Sequence, residues 1–211
     1  MKRYPCLPLF LLFLFVACSS PSPTKPSPEQ LAANYRLIDS AKPLIKSGDI
    51  IFRNGNDEVS RAARSMNRKD TSFSHCGLVF IENDSIVVYH AIGGIYNPSQ
   101  RLRRDPIDSF CTPVENNAFG IYRYDLQPEQ EQKLKAVVDH HYTTGLKFDL
   151  FFNFQSDEVM YCSEFVFKSL NKAAAGAFSK YVRMDTIPYG VTTDDLFLNE
   201  HSRLIKRQFF K

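Results

Sequence analysis

Residues 74–91 read SHCGLVFIENDSIVVYHA, and this stretch decides the fold. Two apolar runs, Cys76–Ile81 and Ile86–Ala91, flank Glu82-Asn83-Asp84-Ser85. Runs of this length rich in Val and Ile, separated by turn-forming residues, specify an antiparallel hairpin. His75 opens the first strand and His90 nearly closes the second. A turn at 82–85 puts both histidines toward the hairpin's open end, on neighbouring strands. Sequence alone does not fix the register that would decide whether they share a face.

Upstream, Pro28-Glu29-Gln30-Leu31 opens a helix that Pro43 ends. Gly48-Asp49 then turns the chain into the short strand Ile50-Ile51-Phe52. Asn56 or Asp57 caps a helix running through Met66, with Arg61, Arg64 and Arg68 on its surface. Downstream, Gly93-Gly94 stops the return strand, and Asp105-Pro106 caps a short helix. Phe119–Tyr124 reads as a strand and Pro128–Tyr142 as a helix with Gly145 beyond its end. A Phe-rich loop, 148–154, leads to a helix over Cys162–Leu170. The remainder is loop with a terminal strand or helix. No internal repeat is present. Hairpins interleaved with helices point to an α+β fold, an antiparallel sheet or barrel packed against helices.

The first 20 residues, MKRYPCLPLFLLFLFVACSS, read as an address. Lys2 and Arg3 precede an uncharged run of 11 residues, Leu7–Ala17. That is too short to span a bilayer, which takes about 20 residues, but it suits an export signal. The string Phe15-Val16-Ala17-Cys18 resembles the lipobox of bacterial lipoproteins, with Phe15 where Leu is usual. Ser19–Pro28 is rich in Pro and Ser and forms an extended tether. The expected organisation is a signal peptide over 1–17, a tether over 18–28 and one catalytic domain over 29–211. The product would be exported and lipid-anchored through Cys18 to the bacterial cell envelope, on the periplasmic side of the outer membrane.

Net charge is +3, and losing Lys2 and Arg3 with the signal leaves +3 − 2 = +1. A balance this small argues against nucleic acid as a partner. Of 5 cysteines, Cys6 leaves with the signal and Cys18 carries lipid, so Cys76, Cys111 and Cys162 remain. No CxxC occurs, so neither a zinc nor a redox motif is present, and no metal or cofactor is called for. Cys76 in a strand and Cys111 in a connection read as structural. Cys162 enters a helix from a loop, where the helix dipole and free N–H groups stabilise a thiolate. A thiol nucleophile also needs a base and a group to orient it, and His75 and His90 are candidates. His140, His141 and His201 carry no catalytic cue.

The strings Gly48-Asp49-Ile50-Ile51-Phe52-Arg53, Ser74-His75-Cys76-Gly77-Leu78-Val79, Val88-Tyr89-His90-Ala91 and Tyr161-Cys162-Ser163-Glu164-Phe165-Val166 occur in this order. Together they resemble the YiiX-like enzymes, circularly permuted relatives of papain within the NlpC-type superfamily. The resemblance spans about residues 44–170. It implies Cys162 as nucleophile, His75 as general base and then acid, and His90 in the orienting position, where many such members carry Glu. It also implies the backbone N–H of Cys162 as one oxyanion donor. Tyr161 and Asp149 resemble recurrent family positions, and Asp149 reads equally as a loop-fixing acceptor. Glu164 is most simply a favourable first-turn charge.

The resulting expectation is an envelope cysteine hydrolase that cleaves amide bonds through a thioester. Its substrate is either a cell-wall peptide of peptidoglycan or an N-acyl, lipid-like amide. The alternative is a non-catalytic or acyl-transferring lipoprotein that binds lipid or peptidoglycan. Phe148, Phe151, Phe152 and Phe154 read first as core and second as the lining of an acyl site.

Overall fold

The computed structural model describes residues 26–211. The expected signal, Cys18 and most of the tether therefore lie outside the described residues. The helix α1 (Pro28–Ala41) starts on the last residue of the expected tether, with Ser27 accepting from the Gln30 N–H at 3.2 Å as its cap.

Six antiparallel strands form the main sheet in the order β4-β3-β2-β1-β5-β8. They are β1 (Ile50–Gly55), β2 (His75–Glu82), β3 (Ser85–His90), β4 (Arg103–Pro106), β5 (Asn116–Tyr124) and β8 (Ser202–Phe209). A parallel pair, β6 (Lys147–Phe148) and β7 (Val159–Met160), pins the two ends of the Phe-rich loop. The sheet is open rather than closed into a barrel, and its terminal element is a strand.

Strand residues alternate between two faces, and each face has its own core. On one face Ile50, Phe52, Cys76, Leu78 and Phe80 pack with Leu134 and Val138 of α4 (Pro128–Thr144) and Phe165, Val166 and Leu170 of α5 (Cys162–Ala173). On the other, Ile51, Val79, Val88, Phe119 and Ile121 pack with Ile38 and Ala41 of α1 and with Ile107 and Phe110 of α3 (Ile107–Phe110). Helix α2 (Glu58–Ser65) is capped by Asp57, which accepts from the Ser60 N–H at 2.9 Å.

The hairpin turns where its sequence directs. Asn83 and Asp84 have φ of 47° and 61°, both left-handed as a two-residue type I′ turn requires. Glu82 therefore pairs with Ser85, and Leu78 with Tyr89. One expectation is corrected here. Asp105 does not cap a helix: it lies in β4, opposite Val88, and α3 begins two residues later without a side-chain cap. Pro106 ends the strand instead, because it has no N–H for the ladder.

Candidate active site

The register carries His75 and His90 onto the same face. Extended from Leu78↔Tyr89, it sets Gly77 opposite His90, so His75 is the diagonal neighbour of His90. A Cβ at Gly77 would lie 2.6 Å from Val88 Cγ1 and 2.7 Å from the Tyr89 carbonyl. Glycine there lets the strands close beneath the two rings. His75 Nε2 lies 2.9 Å from His90 Nδ1. The rings meet edge to face, with centroids 5.0 Å apart, and both pack against Phe110.

A second diagonal step follows. His90 pairs with Arg103 and Val88 with Asp105 across β3 and β4. His90 Nε2 thus comes within 2.9 Å of Asp105 Oδ2. Burial pushes Asp105 upward, but hydrogen bonds from His90 and Arg103 outweigh it and hold the carboxyl down at about 2. Burial depresses His90 to about 4, with Asp105 opposing. His75 lies well below the usual imidazole range, through burial first and then the charges of Arg53, His90 and Arg103.

These groups fix each other's protons. At neutral pH Asp105 is an anion and both histidines are neutral. His90 Nε2 must carry a hydrogen to donate to the carboxylate. Its Nδ1 is then bare and accepts the hydrogen of His75 Nε2. His75 is left with its lone pair on Nδ1, the nitrogen a general base needs free.

Cys162 occupies the first position of α5 and is half-buried. Its thiol is brought below the ordinary range by a hydrogen bond from Cys76, opposed by burial and aided by the N–H groups of Cys76, Ser163 and Cys162 itself. Cys76 moves the other way, raised by burial. Strand alternation puts Cys76 on the α5 face and His75 on the α3 face. Cys162 and His75 approach from opposite sides of the sheet's end, and both line one cavity of about 900 Å³. Cys76 and Cys111 are buried and unpaired.

The surrounding loops are pinned to α5. Asp149 is buried and accepts from the N–H groups of Phe151 (2.8 Å) and Asn153 (2.5 Å), so it shapes the Phe-rich loop. Lys168 donates to the carbonyls of Phe154 (2.9 Å) and Ser156 (2.8 Å). Ser163 Oγ donates to the Val191 carbonyl at 2.8 Å. Glu164 Oε2 accepts the Tyr161 N–H at 3.2 Å, and burial raises its carboxyl to about 7. It braces the helix start. The Phe-rich loop divides. Phe148 and Phe154 pack partly on the core, whereas Leu150, Phe151 and Phe152 are exposed, Phe151 at 90%. Core is thus the wrong reading for Phe151 and Phe152. Phe148, Leu150 and Phe152 line the cavity.

Cysteine at a helix start, histidine on a hairpin strand that precedes it in the chain, the reverse of papain's order, and an antiparallel sheet between them set the comparison with known proteins. A family described as permuted papain-like amidase enzymes, YaeF/YiiX, the C92 family, matches residues 44–194. The chain belongs to this family. Among curated relatives, the uncharacterized protein YiiX of Escherichia coli K12 is 28% identical over 130 residues, which is 61% of this chain and 58% of that protein. The chain thus covers less than two thirds of that relative's length. Among solved structures, the metalloprotein YiiX from Escherichia coli O157:H7 superposes with a TM-score of 0.58 at 21% identity, covering 78% of this chain and 98% of that one. That likeness speaks to the fold. Among the described residues of this chain, no group of three or more His, Cys, Asp or Glu side chains is arranged to hold a metal. His75, His90 and Asp105 direct their ring nitrogens and carboxylate at one another.

Asp105 is the member of the site that sequence reasoning missed. The Asp105-Pro106 dipeptide read as a helix start, which hid its place on the edge strand. The available signal was the spacing: His75, His90 and Asp105 are separated by 15 residues each.

Proposed function

We propose that this chain is a lipid-anchored envelope amidase that hydrolyses N-acylated, lipid-like amides through a thioester on Cys162. The family supports amide hydrolysis in general. The observation that carries the substrate class is the cavity wall on the α5 side, built from Phe148, Leu150, Phe152, Tyr189 and Val191. A peptide-specific cleft needs no such apolar arm, whereas an acyl chain gains roughly 0.8 kcal/mol for each CH₂ it buries there.

In this mechanism His75 Nδ1 takes the proton of the Cys162 thiol as sulfur attacks the amide carbon. The carbon becomes tetrahedral, and its oxyanion accepts the backbone N–H of Cys162 at the α5 terminus. The C–N bond then breaks, and His75 returns the proton to the leaving amine. Water adds to the thioester with His75 again as base. The C–S bond then breaks, the carboxylic acid leaves, and His75 returns the proton to the sulfur, restoring the thiol. His90 and Asp105 hold the imidazole and stabilise its positive charge during each transfer. A lipid on Cys18 keeps the enzyme at a membrane where such substrates reside.

The test is incubation with N-dodecanoyl amides followed by intact-protein mass spectrometry. A dodecanoyl adduct on Cys162, absent in Cys162→Ala, is the expected result. Turnover of muropeptides but not of acyl amides would transfer the assignment to cell-wall peptides. No adduct and no turnover with either would overturn the amidase reading.

A further inference from the structure

The cavity has a second, polar arm, and its chemistry specifies the other half of the substrate. This inference rests on the amidase reading. Arg53 is the β1 partner of His75, so the two side chains share a face beside the base. Its guanidinium is half-buried, lies 4.9 Å above the Phe110 ring and donates Nη1 to the Phe110 carbonyl at 3.1 Å. Among the described residues it forms no ion pair, and its Nε and Nη2 make no hydrogen bond. It lines the same cavity as His75 and Cys162, beside Asn56, Ser109 and Thr112.

The acidic neighbours are occupied elsewhere or displaced to the rim. Asp105 serves His90 and Arg103, Asp108 holds Lys42 at 2.8 Å, and Asp57 caps α2. Glu115 is exposed at the cavity edge. A partly desolvated cation with unused donors, flanked by a second cation at Arg103, is a site for an anion.

Reaction geometry decides which half of the substrate meets it. The group that protonates the leaving nitrogen must lie on the leaving-group side. That group is His75, and Arg53 stands next to it. The acyl half faces Cys162 and the apolar arm. The two arms therefore read opposite ends of one amphiphile.

We propose that Arg53 recognises a carboxylate on the amine half, so that the substrate class is N-acyl amino acids or acyl-peptides ending in a free carboxylate close to the scissile amide. Planar guanidinium and carboxylate groups pair through two parallel hydrogen bonds, which a neutral alcohol on the same amine cannot make.

The experiment compares N-dodecanoylglycine with N-dodecanoylethanolamine, which share an acyl chain and differ in the anion. Wild-type enzyme should favour the glycine conjugate at least tenfold in kcat/KM. Arg53→Gln should collapse that ratio to within twofold, and Arg53→Lys should retain part of it, with thermal melts verifying folding. Equal kcat/KM for the two conjugates in the wild type, or a ratio unmoved by Arg53→Gln in a folded protein, overturns the proposal. Should Arg53→Gln not fold, the wild-type ratio and Arg53→Lys decide. If neither conjugate is hydrolysed and no Cys162 adduct forms, the amidase reading has failed. Binding of the two conjugates to Cys162→Ala by calorimetry then decides the anion site separately. At least tenfold tighter glycine-conjugate binding supports it, and equal binding overturns it.

Discussion

His90 Nε2 lies 2.9 Å from Asp105 Oδ2, two register positions across β3 and β4. The same diagonal step relates His75 to His90. The carboxylate therefore dictates the tautomer of a base it does not touch. Asp105→Asn removes that control, because a carboxamide can accept from or donate to His90 and so tolerates either tautomer. Asp105 acts here as a positioning residue. Outer partners of this kind are worth roughly 10–100-fold, and kcat of the Asp105→Asn enzyme should fall by about that factor with KM little changed. The acidic limb of the pH–rate profile should move as well. Asp105→Glu should recover part of the rate. A kcat within twofold of wild type and an unmoved profile would remove Asp105 from the machinery.

The hairpin and the nucleophile helix were legible in the sequence because their signals are local. Asn83-Asp84 between two Val- and Ile-rich runs favours a tight left-handed turn, and Cys162–Leu170 carries helical apolar spacing with an acidic first turn at Glu164. Asp105 was not legible. Its role arises from pairing between β3 and β4, separated by a loop whose length sets no register. A Pro after Asp reads as a helix start when no neighbouring strand is in view. Phe151 and Phe152 were misplaced for a related reason: burial follows from what packs above a loop, and the loop's own composition carries no record of it. The expected signal segment and the expected lipid anchor at Cys18 lie outside the described residues.

The three thiols should separate chemically. Cys162 sits at a helix start with three N–H groups toward its sulfur, and its thiol lies below the ordinary range. Cys76 and Cys111 are buried and raised. Iodoacetamide at pH 7 should alkylate Cys162 alone in the native protein, with a half-maximal rate below the unperturbed ~8.5 of a free thiol. The other two should react only after denaturation. Peptide mapping after timed labelling reads this. Equal labelling of Cys76 and Cys162, or a midpoint above the free-thiol value, would remove the case for an activated nucleophile.

Acid should unfold the domain through its buried histidines. An unfolded His90 binds a proton near 6.5, whereas the folded one resists until about 4. Between these values the unfolded chain holds the extra proton, so stability falls as pH falls through that window. For His90 the loss is on the order of 3 kcal/mol between pH 7 and 4, and His75 adds to it in the same direction. Asp105 works in a lower window. Its folded value of about 2 against 3.8 gives stability that is complete above 3.8 and lost as pH drops through 2. Urea midpoints at pH 7, 5.5 and 4.5 should decline steadily in wild type. The decline should be shallower in His90→Gln, and an equal slope would contradict the assignment.

Gly77 is the position where fold and site depend on a missing atom. A Cβ there would meet Val88 Cγ1 at 2.6 Å, the Tyr89 carbonyl oxygen at 2.7 Å and His90 Cβ at 3.0 Å. Val88 can turn about its own χ1, but the carbonyl belongs to β3 backbone held by its ladder to β2 and β4. The strands must therefore part. Overpacking in a closed core costs about 1–3 kcal/mol, which for a domain of this size lowers Tm by roughly 2–12 °C. Parting β2 from β3 also lengthens the His75–His90 contact, so Gly77→Ala should lose amidase activity out of proportion to its stability. The pair of measurements is a thermal melt and turnover at a temperature well below both melting points. A Gly77→Ala protein with wild-type Tm would show that β3 yields to the methyl group, and wild-type turnover would show that the two rings need not be held at 2.9 Å.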